Sequence, residues 1–124
     1  AFALRSGRER TERRTKTPIT CIRLSGGGAQ SDSVAQIIAD VLNLPVERFD
    51  DCEASGRGAA MIGAAAMGWH PSIEAAAENM VGSPTLIYPN PEAVPTYHAI
   101  YDQLYQPLYR QLKSLFSRQQ SLPY

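Results

Sequence analysis

Three consecutive glycines, Gly26, Gly27 and Gly28, constrain the fold more than any other feature of the chain. They separate an apolar run over residues 18–24 from a stretch with helical periodicity, which leads into a second apolar run over residues 45–49. This order predicts a strand, a tight turn, a helix and a second strand, a unit whose crossover is right-handed. Because glycine lacks a Cβ, a ligand can approach the backbone closely at such a turn. The free N–H groups at the start of the next helix favour a negatively charged ligand there, so the turn predicts a nucleotide site.

The composition is that of a single globular domain. The chain has 124 residues, 44% of them hydrophobic, which is enough for one core and argues against disorder. The formal net charge is zero, but residues 1–23 hold seven basic side chains against two acidic ones. Such a segment can be a nucleic-acid arm, yet no aromatic side chains interleave the arginines to stack on bases. A solvated helix face is the favoured interpretation, and we expect no nucleic-acid partner; a salt-dependent arm remains the weaker alternative.

The cysteines and the apolar segments bear on location. Cys21 and Cys52 lie 31 positions apart without a Cys/His cluster, which indicates thiols in a reducing compartment and neither a disulfide framework nor a metal site. The N-terminus lacks the apolar core of a signal peptide, and residues 59–69 are too few to span a bilayer. We therefore expect a cytoplasmic protein without a membrane partner. The chain opens on Ala1-Phe-Ala-Leu-Arg5, with neither Met nor a helix cap, as an excised domain would.

Periodicity and turn residues predict the remaining elements. The run before the glycines is predicted as a strand buried on both faces, as in a parallel sheet. Ser31 or Asp32 can cap the next helix, whose apolar positions are Val34, Ile37, Ile38, Val41 and Leu42. The other assignments are a helix-compatible segment over 2–14, a small-residue helix over 54–67, a short helix over 72–80 capped by Ser72, a loop over 82–91, and an amphipathic helix over 97–116 that Pro107 should kink.

Two nucleotide-binding folds are compatible with the glycine turn. A Rossmann-type module needs G-x-G-x-x-G and an acidic residue about 20 positions on. Asp50 and Asp51 lie near that position, but the third glycine would fall at Ser31, so the fit is partial. An actin-like ATPase lobe instead places a Gly-Gly turn at the adenosine of ATP and, farther on, a small-residue helix where two lobes meet. The chain has both parts in that order, and a free-standing Rossmann-type module without kinase activity stays as the alternative.

Three separated motifs resemble those of the FGGY family of carbohydrate kinases. The adenosine-side motif is similar to Leu24-Ser-Gly-Gly-Gly-Ala-Gln-Ser31 followed by Gln36-Ile-Ile-Ala-Asp-Val-Leu-Asn-Leu-Pro-Val46. In the second motif, a glutamate is followed by a small residue and a helix that contains Gly-Ala-Ala. Residues Glu53-Ala-Ser-Gly-Arg-Gly-Ala-Ala-Met-Ile-Gly-Ala-Ala65 of this chain resemble it. The tail over residues 97–112 resembles the closing helix, and Phe2-Ala-Leu-Arg5 resembles the end of the helix before the adenosine strand. The resemblance extends over essentially the whole chain, which would be about the last quarter of such a kinase.

The resemblance implies a fold, an activity and a site. The fold is α/β, a ribonuclease H-like (actin-like ATPase) lobe fragment with a short parallel sheet flanked by helices. Residues 1–124 would be one C-terminal ATP-binding domain of a carbohydrate kinase that uses ATP and Mg²⁺ to phosphorylate a hydroxyl of a pentulose or related sugar. Gly26, Gly27 and Gly28 would line the adenosine and ribose, with Gly27 and Gly28 closest. Gln30 and Ser31 would lie on the adenine side.

The resemblance also implies what the chain lacks. In the family the catalytic aspartate, the phosphate loops and most sugar contacts lie upstream, so no catalytic residue and no metal ligand is assigned here. The isolated chain is expected to be inactive. We interpret the acidic and histidine side chains as neither catalytic nor metal-ligating. Asp32 is predicted to be a helix-dipole partner, Asp50 and Asp51 to be loop carboxylates, and His70 and His98 to have structural or surface roles.

Two features of the sequence depart from the family pattern. Arg57 stands where relatives more often have an apolar residue, and residues 8–16 are unusually polar. The small-residue helix and the tyrosine-rich tail would normally be covered in the family, so their exposure could drive self-association into a homo-oligomer.

Overall fold

The computed structural model describes residues 1–49 and 53–120. Nine regular helices and strands are seen in these ranges: α1 (Phe2–Thr15), β1 (Ile22–Leu24), α2 (Asp32–Leu42), β2 (Val46–Arg48), α3 (Ala54–Ala66), α4 (Ile73–Met80), β3 (Thr85–Ile87), α5 (Val94–Ile100) and α6 (Gln106–Gln120). A 3₁₀ turn over Gly27–Gln30 precedes α2, and a π-helical turn over Tyr101–Tyr105 joins α5 to α6.

The three strands form one sheet in the order β1-β2-β3. β1 and β2 are parallel, with Ile22 opposite Val46, which confirms the predicted strand–turn–helix–strand unit. β3 runs antiparallel to β2, with Ile87 opposite Val46. The α/β class is confirmed, but the sheet is mixed rather than purely parallel, and the prediction of a loop over 82–91 is wrong at Thr85–Ile87. Three residues are too few to show alternation, and they become a strand only because β2 offers a free edge.

The first strand is shorter and less buried than predicted. It covers only Ile22–Leu24, and Arg23 is exposed and pairs with Glu47 across the outer face at 2.8 Å. α2 covers the inner face, where Ile22 and Leu24 pack against a buried cluster made of Ile38, Ala39, Leu42 and Val46. The prediction of a strand buried on both faces is therefore wrong within this chain. Burial of each larger aliphatic side chain in this cluster contributes about 1.5–3 kcal/mol to folding.

Helix α2 is capped at its start by the side chain of Ser31 and ends at Asn43 through a left-handed backbone conformation. The Ser31 hydroxyl accepts a hydrogen bond from the Val34 N–H at 3.4 Å, which confirms the predicted N-cap. Asn43, with φ 49°, adopts the left-handed conformation that ends the helix. Ile38, Val41 and Leu42 are buried as predicted, whereas Val34 and Ile37 at the edge of the stripe are largely exposed.

Helix α1 packs on α5 and the π-helical turn through a buried arginine. The Arg5 guanidinium lies 4.0 Å from the centre of the Tyr101 ring and pairs with Glu9 at 3.1 Å. The Tyr101 hydroxyl donates to Glu9 at 3.0 Å, and Arg5 Nη2 lies 3.4 Å from His98 Nδ1. His98 is therefore part of the helix packing, in line with its predicted structural role.

A second arginine of α1 supports the first β-α-β unit. Arg8 donates to the Leu42 carbonyl at the end of α2 at 3.0 Å, and Glu12 accepts from the Ile19 N–H at 2.8 Å. Two of the arginines that the sequence predicted on a solvated face, Arg5 and Arg8, are thus structural. Arg10, Arg13 and Arg14 are exposed.

The other helices follow the predicted boundaries closely. α3 packs on α4 through Met61 and Ala64, with Ala76 buried on the α4 side. Ser72 caps α4 by accepting from the Ala75 N–H at 3.1 Å. The predicted disruption of the tail at Pro107 is confirmed as the π-helical turn just before α6, because proline cannot donate to the carbonyl one turn earlier.

Candidate nucleotide site at the glycine turn

The glycine turn lies at the carboxyl end of β1 and leads into α2. Gly26 has φ 85° and ψ −177°, a backbone conformation that is essentially restricted to glycine. The Ala29 N–H then donates to the Gly26 carbonyl at 2.9 Å, and Ala29 is fully buried beneath the turn. Gly26 therefore has a structural reason to be glycine that is independent of any ligand.

Gly27 and Gly28 have no such reason in the described part of the chain. Neither has a positive φ, and a Cβ built on either would find no atom within 4 Å. The space beside both residues is open, so the turn presents bare backbone to whatever lies outside it. A ligand could approach the backbone closely here, where a side chain would block it, so the predicted contact of Gly27 and Gly28 with a nucleotide stays a prediction.

The residues after the glycines frame the start of α2. Gln30 and Ser31 are both exposed, and the Ser31 oxygen that caps α2 still has a hydroxyl proton to donate. Asp32, the first residue of α2, pairs with Arg48 at the carboxyl end of β2. A carboxylate here interacts favourably with the helix dipole, which supports the predicted role of Asp32.

A cavity of about 230 Å³ lies beside the turn, between the ends of β1 and β2 and the first half of α3. Its lining comprises Arg23, Ser25, Phe49, Ala54, Arg57, Gly58, Met61 and Val81. Ser25 directly precedes the glycines, so the cavity lies between the glycine turn and the small-residue helix α3. The sequence predicted no site role for three of these lining residues, Phe49, Arg57 and Met61. The rule that parallel strands present their carboxyl ends at one edge could have pointed to Phe49.

The other acidic and metal-ligand candidates add little to this site. Asp50, Asp51 and Cys52 lie outside the described residues. Across residues 1–49 and 53–120, no group of three or more His, Cys, Asp or Glu side chains is arranged to hold a metal ion. Within the same ranges, no helix has the length and apolarity needed to cross a membrane.

Comparison with known proteins decides the family. The sequence model described as "FGGY family of carbohydrate kinases, C-terminal domain" matches residues 1–67, which include the glycine turn, α2, β2 and α3. The chain belongs to this family. Membership excludes the Rossmann-type alternative.

Relatives by sequence include xylulose kinases. The chain is 34% identical over 90 residues to the xylulose kinase of Bacillus subtilis, covering 73% of this chain and 18% of that protein. It is 36% identical over 84 residues to an FGGY carbohydrate kinase domain-containing protein of Xenopus laevis, covering 68% of this chain and 15% of that protein. The chain therefore spans less than a quarter of the length of these relatives.

Solved structures give the same fold. The xylulose kinase of Rhodospirillum rubrum superposes with a TM-score of 0.74 at 25% identity, covering 94% of this chain and 23% of that one. The ligand-bound xylulose kinase of Lactobacillus acidophilus gives a TM-score of 0.70 at 20% identity, covering 82% of this chain and 20% of that one. The fold class is thus confirmed as part of an actin-like ATPase lobe of a sugar kinase.

Proposed function

We propose that this chain is the ATP-binding C-terminal part of an ATP-dependent carbohydrate kinase that phosphorylates a hydroxyl of a pentulose or related sugar. The observation that carries the proposal is the open backbone at Gly27 and Gly28, in a chain of the FGGY family. Its similarity to xylulose kinases supports a pentulose-type substrate class. Residues 1–124 would form a single domain of the longer enzyme.

Each site residue has a distinct part in nucleotide binding. Gly26 sets the direction of the turn, and Gly27 and Gly28 allow the adenosine and ribose to contact the backbone. Gln30 and Ser31 present polar groups on the adenine side. Bound ATP supplies the phosphoryl group that is transferred. Since the resemblance assigns the phosphate loops to upstream parts of the enzyme, we propose that Mg²⁺ arrives with the ATP phosphates and is held by those upstream parts.

The test is a Gly28→Val substitution, which fills the open space beside the turn. We expect the dissociation constant for ATP, measured by isothermal titration calorimetry, to rise at least about tenfold. The free energy of unfolding should hardly change, since a Cβ at this position meets no protein atom within 4 Å. Gly7→Val is the matched control, because Gly7 is also uncrowded but lies in α1 away from the turn.

The same titration discriminates between cofactors. ATP should bind to the wild-type chain and NAD⁺ should not. Equal ATP affinity for the wild type and Gly28→Val, or binding of NAD⁺ in preference to ATP, would contradict the proposal.

We also propose that the chain is cytoplasmic and self-associates. Cys21 is a free thiol, as expected in a reducing compartment. Apolar side chains around the end of α3 are exposed, including Ile62 at 58% and Trp69 at 76%, which favours a homo-oligomer. Fractionation of cells expressing the full-length parent, and light scattering of the purified chain over a range of concentrations, would check the two statements separately.

A further inference from the structure

The charged residues of this chain are segregated along the sequence. Residues 1–23 carry the basic excess, and the next concentration of basic side chains is at Arg110, Lys113 and Arg118. Between Arg57 and Arg110 there is no lysine or arginine, whereas that interval contains Glu74, Glu78, Glu92 and Asp102. A zero net charge therefore conceals two surfaces of opposite sign.

The basic surface is a groove between α1 and the tail helix. It has a volume of about 510 Å³ and is larger than the cavity at the glycine turn. Its apolar lining comes from the tail, with Tyr105, Leu108, Leu112 and Phe116, and its charged lining from α1, with Glu9, Arg10 and Arg13. We call this surface the basic groove.

The basic groove is positively charged because its one acidic lining residue, Glu9, is paired with a cation outside the lining. Glu9 is bound by Arg5 and by the Tyr101 hydroxyl. Arg10 and Arg13 form no ion pair within the described residues. All charged side chains of α6 are basic as well, so an occupant needs apolar groups flanked by carboxylates.

A surface of that chemistry exists on the same chain. Glu74 and Glu78 lie one turn apart on α4, and both are exposed. Ile73 beside them is 51% exposed, and Trp69 precedes the helix. A hydrogen bond from the backbone and one from Ser72 hold the pKa of Glu74 below its ordinary value, so this carboxylate is ionised at neutral pH. We call the α4 surface with Trp69 the acidic face.

We propose that the acidic face of one copy docks into the basic groove of the next copy, head to tail. The inference rests on the proposed self-association and specifies its surfaces. Two basic grooves would repel each other, as would two acidic faces, so a symmetric pairing of either surface with itself is disfavoured. Where the groove of one copy receives the acidic face of the next copy without the reciprocal contact, the interface is heterologous and produces rings or open chains.

The test uses charge reversal on each surface of the 124-residue chain. One variant carries Arg10→Glu and Arg13→Glu, and the other carries Glu74→Arg and Glu78→Arg. All four side chains are exposed, and circular dichroism would verify that both variants are folded. We expect each double variant to raise the dissociation constant for self-association, measured by sedimentation velocity, by at least about tenfold. Glu92→Arg, at an exposed acid outside the acidic face, is the control and should behave as the wild type.

Mixing the two variants provides the decisive measurement. In the mixture, the groove made acidic in the first variant can bind the α4 surface made basic in the second. The unchanged acidic face of the first variant can likewise bind the unchanged basic groove of the second, so an equimolar mixture should associate again. Raising the salt concentration from 0.1 M to 1 M should weaken wild-type association, because the screening length falls from about 10 Å to about 3 Å.

Several outcomes would overturn the proposal. A wild-type chain that is monomeric at all concentrations refutes both self-association and this pairing. Association that neither variant weakens, or that the mixture fails to restore, refutes the pairing alone and leaves the nucleotide proposal untouched. Binding of wild type, but not of Arg10→Glu/Arg13→Glu, to anionic vesicles in preference to self-association would assign the groove to a lipid surface instead.

Discussion

Single residues in this chain divide between those that the fold requires and those that it leaves free. Gly26 is required by its backbone conformation, while Gly27 and Gly28 are not required by anything in the described part of the chain. Arg5 is required as well, since it lies buried beneath Tyr101. A glycine run can therefore combine a position at which the backbone requires glycine with positions at which it does not, and the φ angle distinguishes them.

Gly26→Ala should destabilise the fold. A Cβ at φ 85° and ψ −177° is strained, and we expect a loss of about 1–3 kcal/mol in the free energy of unfolding, measured by urea titration. Gly7→Ala is the control and should raise stability by about 0.5–1 kcal/mol, because Gly7 lies within α1. A neutral Gly26→Ala variant would show that the turn does not hold this conformation in solution.

Tyr101 should make stability depend on alkaline pH. Burial, and secondly the hydrogen bond to Glu9, raises the pKa of the Tyr101 hydroxyl above its ordinary value. A raised pKa in the folded state stabilises the protein fully below the unfolded value of about 10, and this contribution is lost as the pH rises through the higher folded value. The wild type should therefore lose stability above about pH 10.

Tyr101→Phe tests this expectation. The variant should be less stable by about 0.5–1.5 kcal/mol at pH 7, for the lost hydrogen bond to Glu9, but should lose less stability between pH 9 and about pH 11 than the wild type. Chemical denaturation at a series of pH values measures both effects. Tyr88→Phe, at a tyrosine that is 65% exposed, should retain the alkaline loss of the wild type. Identical pH profiles for the wild type and Tyr101→Phe would contradict the assignment.

At the scale of elements, one buried carboxylate connects α2 to the chain that leaves β3. Asp40 is 5% exposed and accepts from the Asn90 N–H at 2.7 Å and from Gln36 Nε2 at 2.9 Å. Gln36 also donates to the Tyr88 carbonyl at 3.0 Å. This network connects the chain that follows β3 to α2, next to Ile87, which packs against the buried cluster.

Asp40→Ala should loosen that connection. The Asn90 N–H and Gln36 Nε2 lose a charged acceptor, and we expect a cost of about 1–3 kcal/mol in the free energy of unfolding. Hydrogen exchange at the Asn90 amide should accelerate more than exchange in α1. Glu78→Ala, at an exposed acid on α4, should change stability by less than about 0.5 kcal/mol. Unchanged exchange at Asn90 in Asp40→Ala would show that the network does not hold this segment.

At the scale of the whole molecule, the chain spans only part of the length of the proteins that it resembles. It covers 20% to 23% of the xylulose kinases whose structures it resembles. The proposed nucleotide site lies on this chain, and no residue of the chain is assigned a catalytic role. Large apolar side chains such as Ile62 and Met67 are left exposed at the end of α3.

The 124-residue chain alone should bind ATP without transferring its phosphoryl group. Phosphoryl transfer requires a base that orients the attacking hydroxyl and groups that hold the β- and γ-phosphates, which the family places upstream. A coupled assay for ADP with a pentulose as acceptor should show no sugar-dependent ATP consumption, while calorimetry shows binding. Sugar-dependent turnover by this chain would overturn the assignment of catalysis to upstream parts, and the full-length parent is the positive control.

The sequence by itself determined the β-α-β unit, the helix caps at Ser31 and Ser72, and membership of the FGGY family, because these depend on residues that are close together in the chain. It did not determine the third strand, since Thr85–Ile87 becomes a strand only by pairing with β2. The prediction of a solvated face was also wrong for Arg5 and Arg8. Their partners, the Tyr101 ring and the Leu42 carbonyl, are distant in the sequence, so only the fold shows that these charged side chains have partners. Only the tertiary structure decided which of the three glycines the backbone requires, because that distinction depends on the φ angle of each residue, which sequence spacing does not specify.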